Sequence, residues 1–322
     1  MNSLSDPSSK ILHHPDRLAD FKRGLAFPIS AEIDLTWRCA LNCKGCHSKW
    51  LHSGVELQPE QIKRILTELH SKGLQSVTWS GGGDPLESPH WQFAMNLAYD
   101  LGLDQGLYSY LPGLGQELVD FIESKRLCFV YTHSNKPKWW LKHSPASRTV
   151  WTYGWLLDSE NWNRIPEMIA KSNLDFYNFV DFRPLAPENK PDAPMELDYS
   201  WIRDALRVLD AMQKFNPQVK FAKYKFDDLL KPGAKRGYSK CFSTDFTASV
   251  GPNGDMYECL NRRGFSESIL GNLLVEDLET IWQRKARFRE DLSQCRILCR
   301  GHEMNKTLYK IFGEEIQHSS FV

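Results

Sequence analysis

The sequence lacks a net charge: Lys and Arg together number 40, as do Asp and Glu. A balanced chain has no overall attraction to nucleic acid or to an anionic membrane, so partners have to be read from sites. Long hydrophobic runs are also missing. The longest apolar stretches, such as residues 150–157, are strand-sized, well short of the roughly 20 residues that cross a bilayer. Residues 1–10 are polar and Ser-rich, with neither the basic start nor the apolar centre of a secretion signal, which points to the cytoplasm. Internal repeats, low-complexity tracts and heptad arrays are absent, so solenoids and coiled coils are excluded.

What is present is a chain of 322 residues, 41% hydrophobic and 12% aromatic, enough for one large core and a small appendage. Short β-rich runs at residues 31–37, 76–80, 106–110, 127–133, 149–157 and 176–184 alternate with helical periodicity at 59–72, 91–101, 116–124 and 161–172. In the first of these helices Ile62, Ile65, Leu66 and Leu69 share one face. Such alternation predicts βα units around a parallel sheet, and six units make about three quarters of an eightfold barrel. A helix over 199–215, a β-like stretch over 219–226 and a Gly/Pro-containing linker over 231–237 follow. Beyond them, residues 247–259 read as a hairpin around Gly251-Pro252-Asn253-Gly254 and 275–287 as a helix. The predicted fold is α/β: an N-terminal extension (1–28), a partial (β/α)6 TIM-type barrel (29–230) and a small C-terminal domain (238–322).

The eight cysteines are clustered. In a reducing compartment, clustered cysteines point to metal binding or redox chemistry rather than disulfides. Cys39, Cys43 and Cys46 have C-x3-C-x2-C spacing directly after the first predicted strand. Three thiolates on one loop can each hold a different iron of a [4Fe–4S] cube, leaving the fourth iron open to another ligand. Zinc, with His47 completing the set, is the alternative. Cys241, Cys259, Cys295 and Cys299 can fill a second cluster. A three-cysteine cluster, His302 as substitute ligand and a structural zinc site are the other readings. Cys128, alone in an apolar strand, reads as a small core residue. Trp139, Trp140, Trp151 and Trp155 read as barrel packing, with Tyr153 facing the lumen.

The cysteine triplet after the first strand, followed by Ser80-Gly81-Gly82-Gly83-Asp84-Pro85 after the second, resembles the radical S-adenosylmethionine superfamily. The resemblance implies that Cys39, Cys43 and Cys46 hold a [4Fe–4S] cluster whose open iron is chelated by S-adenosylmethionine. It also implies that Gly81, Gly82, Gly83 and Asp84 line the cofactor, and that Thr132, Ser134 and Arg183, at the ends of later strands, contact its polar groups. Thr132 shares a strand face with Cys128 and Val130. For Arg183 a surface ion pair with Asp181 is the competing role. One departure is Gly45, where the family usually has an aromatic residue next to the adenine; His47 or Trp50 then supplies that contact.

The segments Ser249-Val250-Gly251-Pro252-Asn253-Gly254-Asp255-Met256-Tyr257-Glu258-Cys259 and Leu270-Gly271-Asn272-Leu273, with Ile281-Trp282, resemble the SPASM extension of that superfamily, in a shortened twitch-like form. This implies one auxiliary [4Fe–4S] cluster. The function expected from both resemblances is reductive cleavage of S-adenosylmethionine to a 5′-deoxyadenosyl radical, which takes a hydrogen atom from a substrate. The expected substrate is a small polar metabolite, a sugar, aminocyclitol or nucleoside, because the 38 residues before Cys39 leave no room for the peptide-recognition domain common in peptide-modifying members. Modification of a ribosomally made peptide is the alternative, and a non-catalytic zinc-binding module the remote one. A reducing partner such as flavodoxin or ferredoxin is implied.

Overall fold

The computed structural model describes residues 9–133, 137–186, 190, 198–230, 236–285, 292, 295 and 298–313. Seven parallel strands follow one another around the sheet: β1 (Ser30–Ile33), β2 (Ser76–Trp79), β3 (Asp104–Tyr108), β4 (Phe129–Thr132), β5 (Val150–Leu157), β6 (Phe179–Pro184) and β7 (Val219–Phe221). Between them run α2 (Pro59–Ser71), α3 (Trp91–Asp100), α4 (Gln116–Ser124), α5 (Ile165–Ala170) and α6 (Ile202–Phe215), with α1 (Pro15–Lys22) preceding β1 and α7 (Lys223–Leu230) following β7. The expected partial barrel is therefore present. The helices between strands bury their apolar stripes against the sheet; α2 buries Ile62, Ile65, Leu66 and Leu69. Its start is set by Pro59 and by a capping box in which the Gln58 N–H donates to Gln61 Oε1 at 2.8 Å.

Two differences from the sequence reading have physical causes. The stretch 219–226 is not one strand: β7 ends at Phe221, and α7 buries Phe226 and Leu229 against the sheet, a separation of three that belongs to one helix face and would put them on opposite faces of a strand. Nor is the C-terminal hairpin a sheet of its own. β8 (Thr247–Val250) pairs in parallel with the free side of β1, Ala31 opposite Ala248, and β9 (Asp255–Tyr257) and β10 (Ile269–Asn272) continue the same ten-stranded sheet antiparallel. Pairing with β8 covers an edge that would otherwise expose unpaired backbone groups. The helix expected at 275–287 is α8 (Leu278–Gln283), with residues 286–287 outside the described set, as is most of the 231–237 linker.

Residues near the two ends of the chain share a small core. Phe21 of α1 lies 4.8 Å, ring to ring, from Phe312 of α9 (His302–Phe312), and both surround Phe242 and Phe246 with Ile11, Ile29 and Leu308. No helix among the described residues is long and apolar enough to cross a membrane.

Candidate functional site

Strand parity decides what lines the barrel lumen, because successive side chains point to opposite faces. On β1 the inward positions carry Glu32, and the chain continues to Asp34; both are buried. On β4 they are Tyr131 and His133, on β5 Gly154 and Leu156, and on β6 Asp181 and Arg183. Gly154 is required there. A Cβ at this position would occupy the space of the Tyr131 hydroxyl, which passes between the strands to donate to Asp181 Oδ2 at 3.0 Å.

The cysteine triplet sits on the loop leaving β1, pinned by a bridge between Thr36 and Glu56 and by Trp37 N–H donating to the Val55 carbonyl at 3.0 Å. Cys39, Cys43 and Cys46 line one cavity of about 310 Å3 together with Gly81, Gly82, Gly83, Asp84 and Arg183. Burial pushes the Cys39 thiol up to about 11, while Cys43 is exposed. The glycines face protein as well as cavity. Gly81 has φ +145, a conformation L side chains rarely adopt, with the Asp34 carboxylate beside it; a Cβ at Gly82 would meet the Trp37 ring, and one at Gly83 the Arg38 backbone. Their smallness lets the β2 loop dock against the cysteine loop, and the Asp84 N–H donates to the Arg38 carbonyl at 2.8 Å across that junction. Asp84 itself accepts from Leu86 N–H, Ser109 Oγ and Tyr110 N–H at 2.7–2.9 Å, and burial raises its carboxyl to about 6. Gly45 lies under Leu156 and Leu185, whose side chains fill the space an aromatic residue would take.

Several expected contacts fall elsewhere. Thr132 is buried on the outward face with Val130 and does not line the cavity; its neighbours Tyr131 and His133 do. Ser134 lies outside the described residues. Tyr153 points outward into the core with Trp151, and Trp139 and Trp140 are exposed rather than packed. Cys128 is exposed at the start of β4, not a core residue. His47 lines the cavity, whereas Trp50 packs edge-on against Phe265 at 5.8 Å. Arg183 makes the expected ion pair with Asp181, largely buried rather than at the surface: Nε pairs with Asp181 at 2.7 Å, and the guanidinium stacks 4.0 Å from the Tyr131 ring centroid where it lines the cavity.

A buried ionic network absent from the sequence reading closes the lumen. Arg263, from the loop after Cys259, pairs with Glu32 and, through Nε at 3.1 Å, with Asp34; Arg300 also reaches Glu32. Burial acts to raise Glu32, but Arg300 and Arg263 hold it at about 2. For Asp34 burial prevails over Arg263 and the Gly82 N–H, leaving it at about 6. Charges at alternate positions of Ala31-Glu32-Ile33-Asp34-Leu35, an otherwise apolar strand, were the available signal.

Cys241, Cys259, Cys295 and Cys299 ring a second, largely apolar cavity of about 330 Å3. Burial raises the Cys259 and Cys299 thiols, the latter to about 12. His302 does not line it; its Nδ1 is 2.9 Å from the Tyr238 hydroxyl, and its Nε2 faces Asp228 and Glu303. Among the described residues no three His, Cys, Asp or Glu side chains are grouped to hold a single metal ion. Leu260, Asn261 and Arg300 line both cavities and form the wall between them.

Residues 241–310 match the family model for SPASM, described as an iron–sulfur cluster-binding domain. Over 105 residues the chain is 30% identical to the PqqA peptide cyclase of Bradyrhizobium diazoefficiens, a match spanning 32% of this chain and 27% of that protein. Its fold is similar to that of Streptococcus suis SuiB bound to precursor peptide SuiA (TM-score 0.61, 14% identity, 87% of this chain and 71% of that one). It is likewise similar to anSMEcpe with bound AdoMet (TM-score 0.60, 14% identity, 87% and 88%). The chain thus has the barrel fold of these solved structures, and its residues 241–310 match the SPASM iron–sulfur cluster-binding domain.

Proposed function

We propose that the chain is a radical S-adenosylmethionine enzyme that modifies a peptide, with one cluster on Cys39, Cys43 and Cys46 and an auxiliary cluster on Cys241, Cys259, Cys295 and Cys299. The observation that carries this reading is the pair of thiol-lined cavities sharing a wall of Leu260, Asn261 and Arg300. A zinc ion draws four ligands to within about 2.3 Å of one point. Thiols that ring a cavity without converging suit a multi-iron cluster, which takes one thiolate per iron. Because burial raises Cys39, Cys259 and Cys299, assembling either cluster has to displace thiol protons.

When bound, the first cluster and S-adenosylmethionine supply one-electron cleavage of the cofactor and removal of a hydrogen atom from a C–H bond. The protein's own part is positional. Gly81, Gly82 and Gly83 bring the β2 loop against the cysteine loop, and Asp84 fixes that loop through three accepted hydrogen bonds. Leu156 and Leu185 offer an apolar contact beside Gly45. Arg263, held by Glu32 and Asp34, and Arg300 bring the SPASM segment over the lumen, where it excludes water from the reacting groups. A flavodoxin or ferredoxin is the proposed source of electrons.

A peptide is favoured over a sugar, aminocyclitol or nucleoside by the similarity to a peptide cyclase, and the same fold accommodates a precursor peptide in SuiB. The test is anaerobic reconstitution with iron and sulfide, reduction, and incubation with the short peptides encoded beside the gene. About eight irons per chain, 5′-deoxyadenosine formation and a peptide mass change are expected. A colourless protein holding zinc overturns the enzyme reading. Turnover of a sugar, aminocyclitol or nucleoside with every peptide unchanged overturns the peptide reading.

A further inference from the structure

The first cavity is lined by two sets of elements: the cysteine loop and the glycine loop, which follow β1 and β2, and a basic group made of Arg183 on β6, Lys225 on α7 and Arg300 of the SPASM segment. The two sets meet at His47, which follows Cys46 and feels the positive charges of Arg300 and Lys225, and at Gly45, which abuts Leu156 and Leu185.

Three cations converge in the basic group. Arg183 and Arg300 lie 5.9 and 5.2 Å from the centroid of the same Tyr108 ring, and Lys225 lines the cavity beside them. The acidic groups nearby are committed. Asp181 Oδ2 accepts from Arg183 and from Tyr131, and Glu32 is shared by Arg263 and Arg300. Among the described residues the Lys225 ammonium has neither a carboxylate nor a hydrogen-bond acceptor as partner, and its nearest aromatic ring, Tyr224, is 6.0 Å from Nζ. An unpaired cation in a confined cavity is costly unless an anion arrives to meet it. Consistent with that, burial and the neighbouring Arg183 lower Lys225 to about 7.

We infer that Lys225, with Arg300 and Arg183 beside it, forms a subsite for a carboxylate of the substrate: an acidic side chain or the C-terminus of the peptide. The inference rests on the proposal that this cavity is the substrate chamber. It adds a specificity: a substrate that carries a carboxylate is anchored by this basic group.

The probe is pyridoxal 5′-phosphate, an anionic aldehyde that forms imines with lysine, compared at pH 7 on the reconstituted full chain with 5′-deoxypyridoxal, which lacks the phosphate and, unlike pyridoxal, cannot close to a hemiacetal. Imines are reduced with borohydride and mapped by peptide mass spectrometry. Lys225 is expected to react roughly tenfold faster with the phosphate ester than with 5′-deoxypyridoxal, since two flanking guanidiniums concentrate an anion there. Glutarate is expected to suppress the reaction, and the preference to persist with S-adenosylmethionine bound. In Lys225→Met the labelled peptide disappears while circular dichroism stays unchanged. Equal rates for the two aldehydes at Lys225 overturn the subsite. Full protection by S-adenosylmethionine assigns the carboxylate to the cofactor and overturns the substrate assignment. If clusters and S-adenosylmethionine binding are absent but the preference remains, the enzyme reading fails and the anion subsite stands.

Discussion

Single residues in this protein are decided by what burial does to charge. Arg263 serves both Glu32 and Asp34 with almost no solvent to share the task. Removing one partner of a buried ion pair leaves an uncompensated charge, so Arg263→Ala is expected to cost about 3–5 kcal/mol in urea unfolding. Replacing all three as Glu32→Gln, Asp34→Asn and Arg263→Met is expected to recover most of that loss, because the desolvation cost goes with the charges. The two carboxylates act oppositely with pH. Glu32, held at about 2, contributes stability that is complete above its ordinary 4.5 and is lost as pH falls from there toward 2. Asp34 is raised from 3.8 to about 6, so the folded state binds the extra proton and stability falls as pH rises through that window. Compared with the native protein, Asp34→Asn is therefore expected to gain stability at pH 6 relative to pH 4, because the other groups titrating in that range, Asp84, His47 and His133, are common to both; denaturant midpoints at the two pH values check it.

At the scale of elements, the cysteine loop and the glycine loop behave as one unit. Because a Cβ at Gly82 would meet the Trp37 ring, Gly82→Val is expected to disturb the cysteine loop itself and to lower iron at the first site, not only cofactor affinity. Iron analysis after reconstitution separates the two: about half the iron lost supports loop displacement, and full iron with weakened S-adenosylmethionine binding refutes it. Replacing Cys39, Cys43 and Cys46 together with Ala is expected to abolish 5′-deoxyadenosine formation and leave roughly half the iron. Unchanged formation would remove these residues from the first cluster. The departure at Gly45 also resolves at this scale, since Leu156 of β5 and Leu185 just beyond β6 fill the volume a larger side chain would need.

For the whole molecule, the SPASM segment is bound to the barrel by backbone pairing of β8 with β1, by the salt bridges of Arg263 and Arg300 to Glu32, by Arg64 Nε of α2 donating to the Leu273 carbonyl at 2.8 Å, and by a shared hydrophobic core. Replacing Cys295 and Cys299 with Ala is expected to preserve uncoupled cleavage of S-adenosylmethionine while stopping conversion of the substrate. Circular dichroism guards against the simpler outcome, because metal binding in such a segment is also folding energy. Native turnover by the double variant would reduce the second site to a structural role.

The sequence by itself determined the elements whose evidence is local. α2 was readable because Ile62, Ile65, Leu66 and Leu69 recur at helical spacing, the barrel because strands alternate with helices, and the cysteine loop because three thiols lie within eight residues. Only the tertiary structure decided which face of each strand meets the lumen. Thr132 was placed inside and lies outside, and Tyr153 likewise, because parity fixes which residues share a face but not which face is buried against helices. The same limit hid Arg263, Arg300 and Lys225. Each is an ordinary basic residue in sequence, and each becomes part of the site because distant segments, among them a strand pairing across 217 positions between Ser30 and Thr247, fold onto one cavity. The charges they meet exist only once the chain has closed around them.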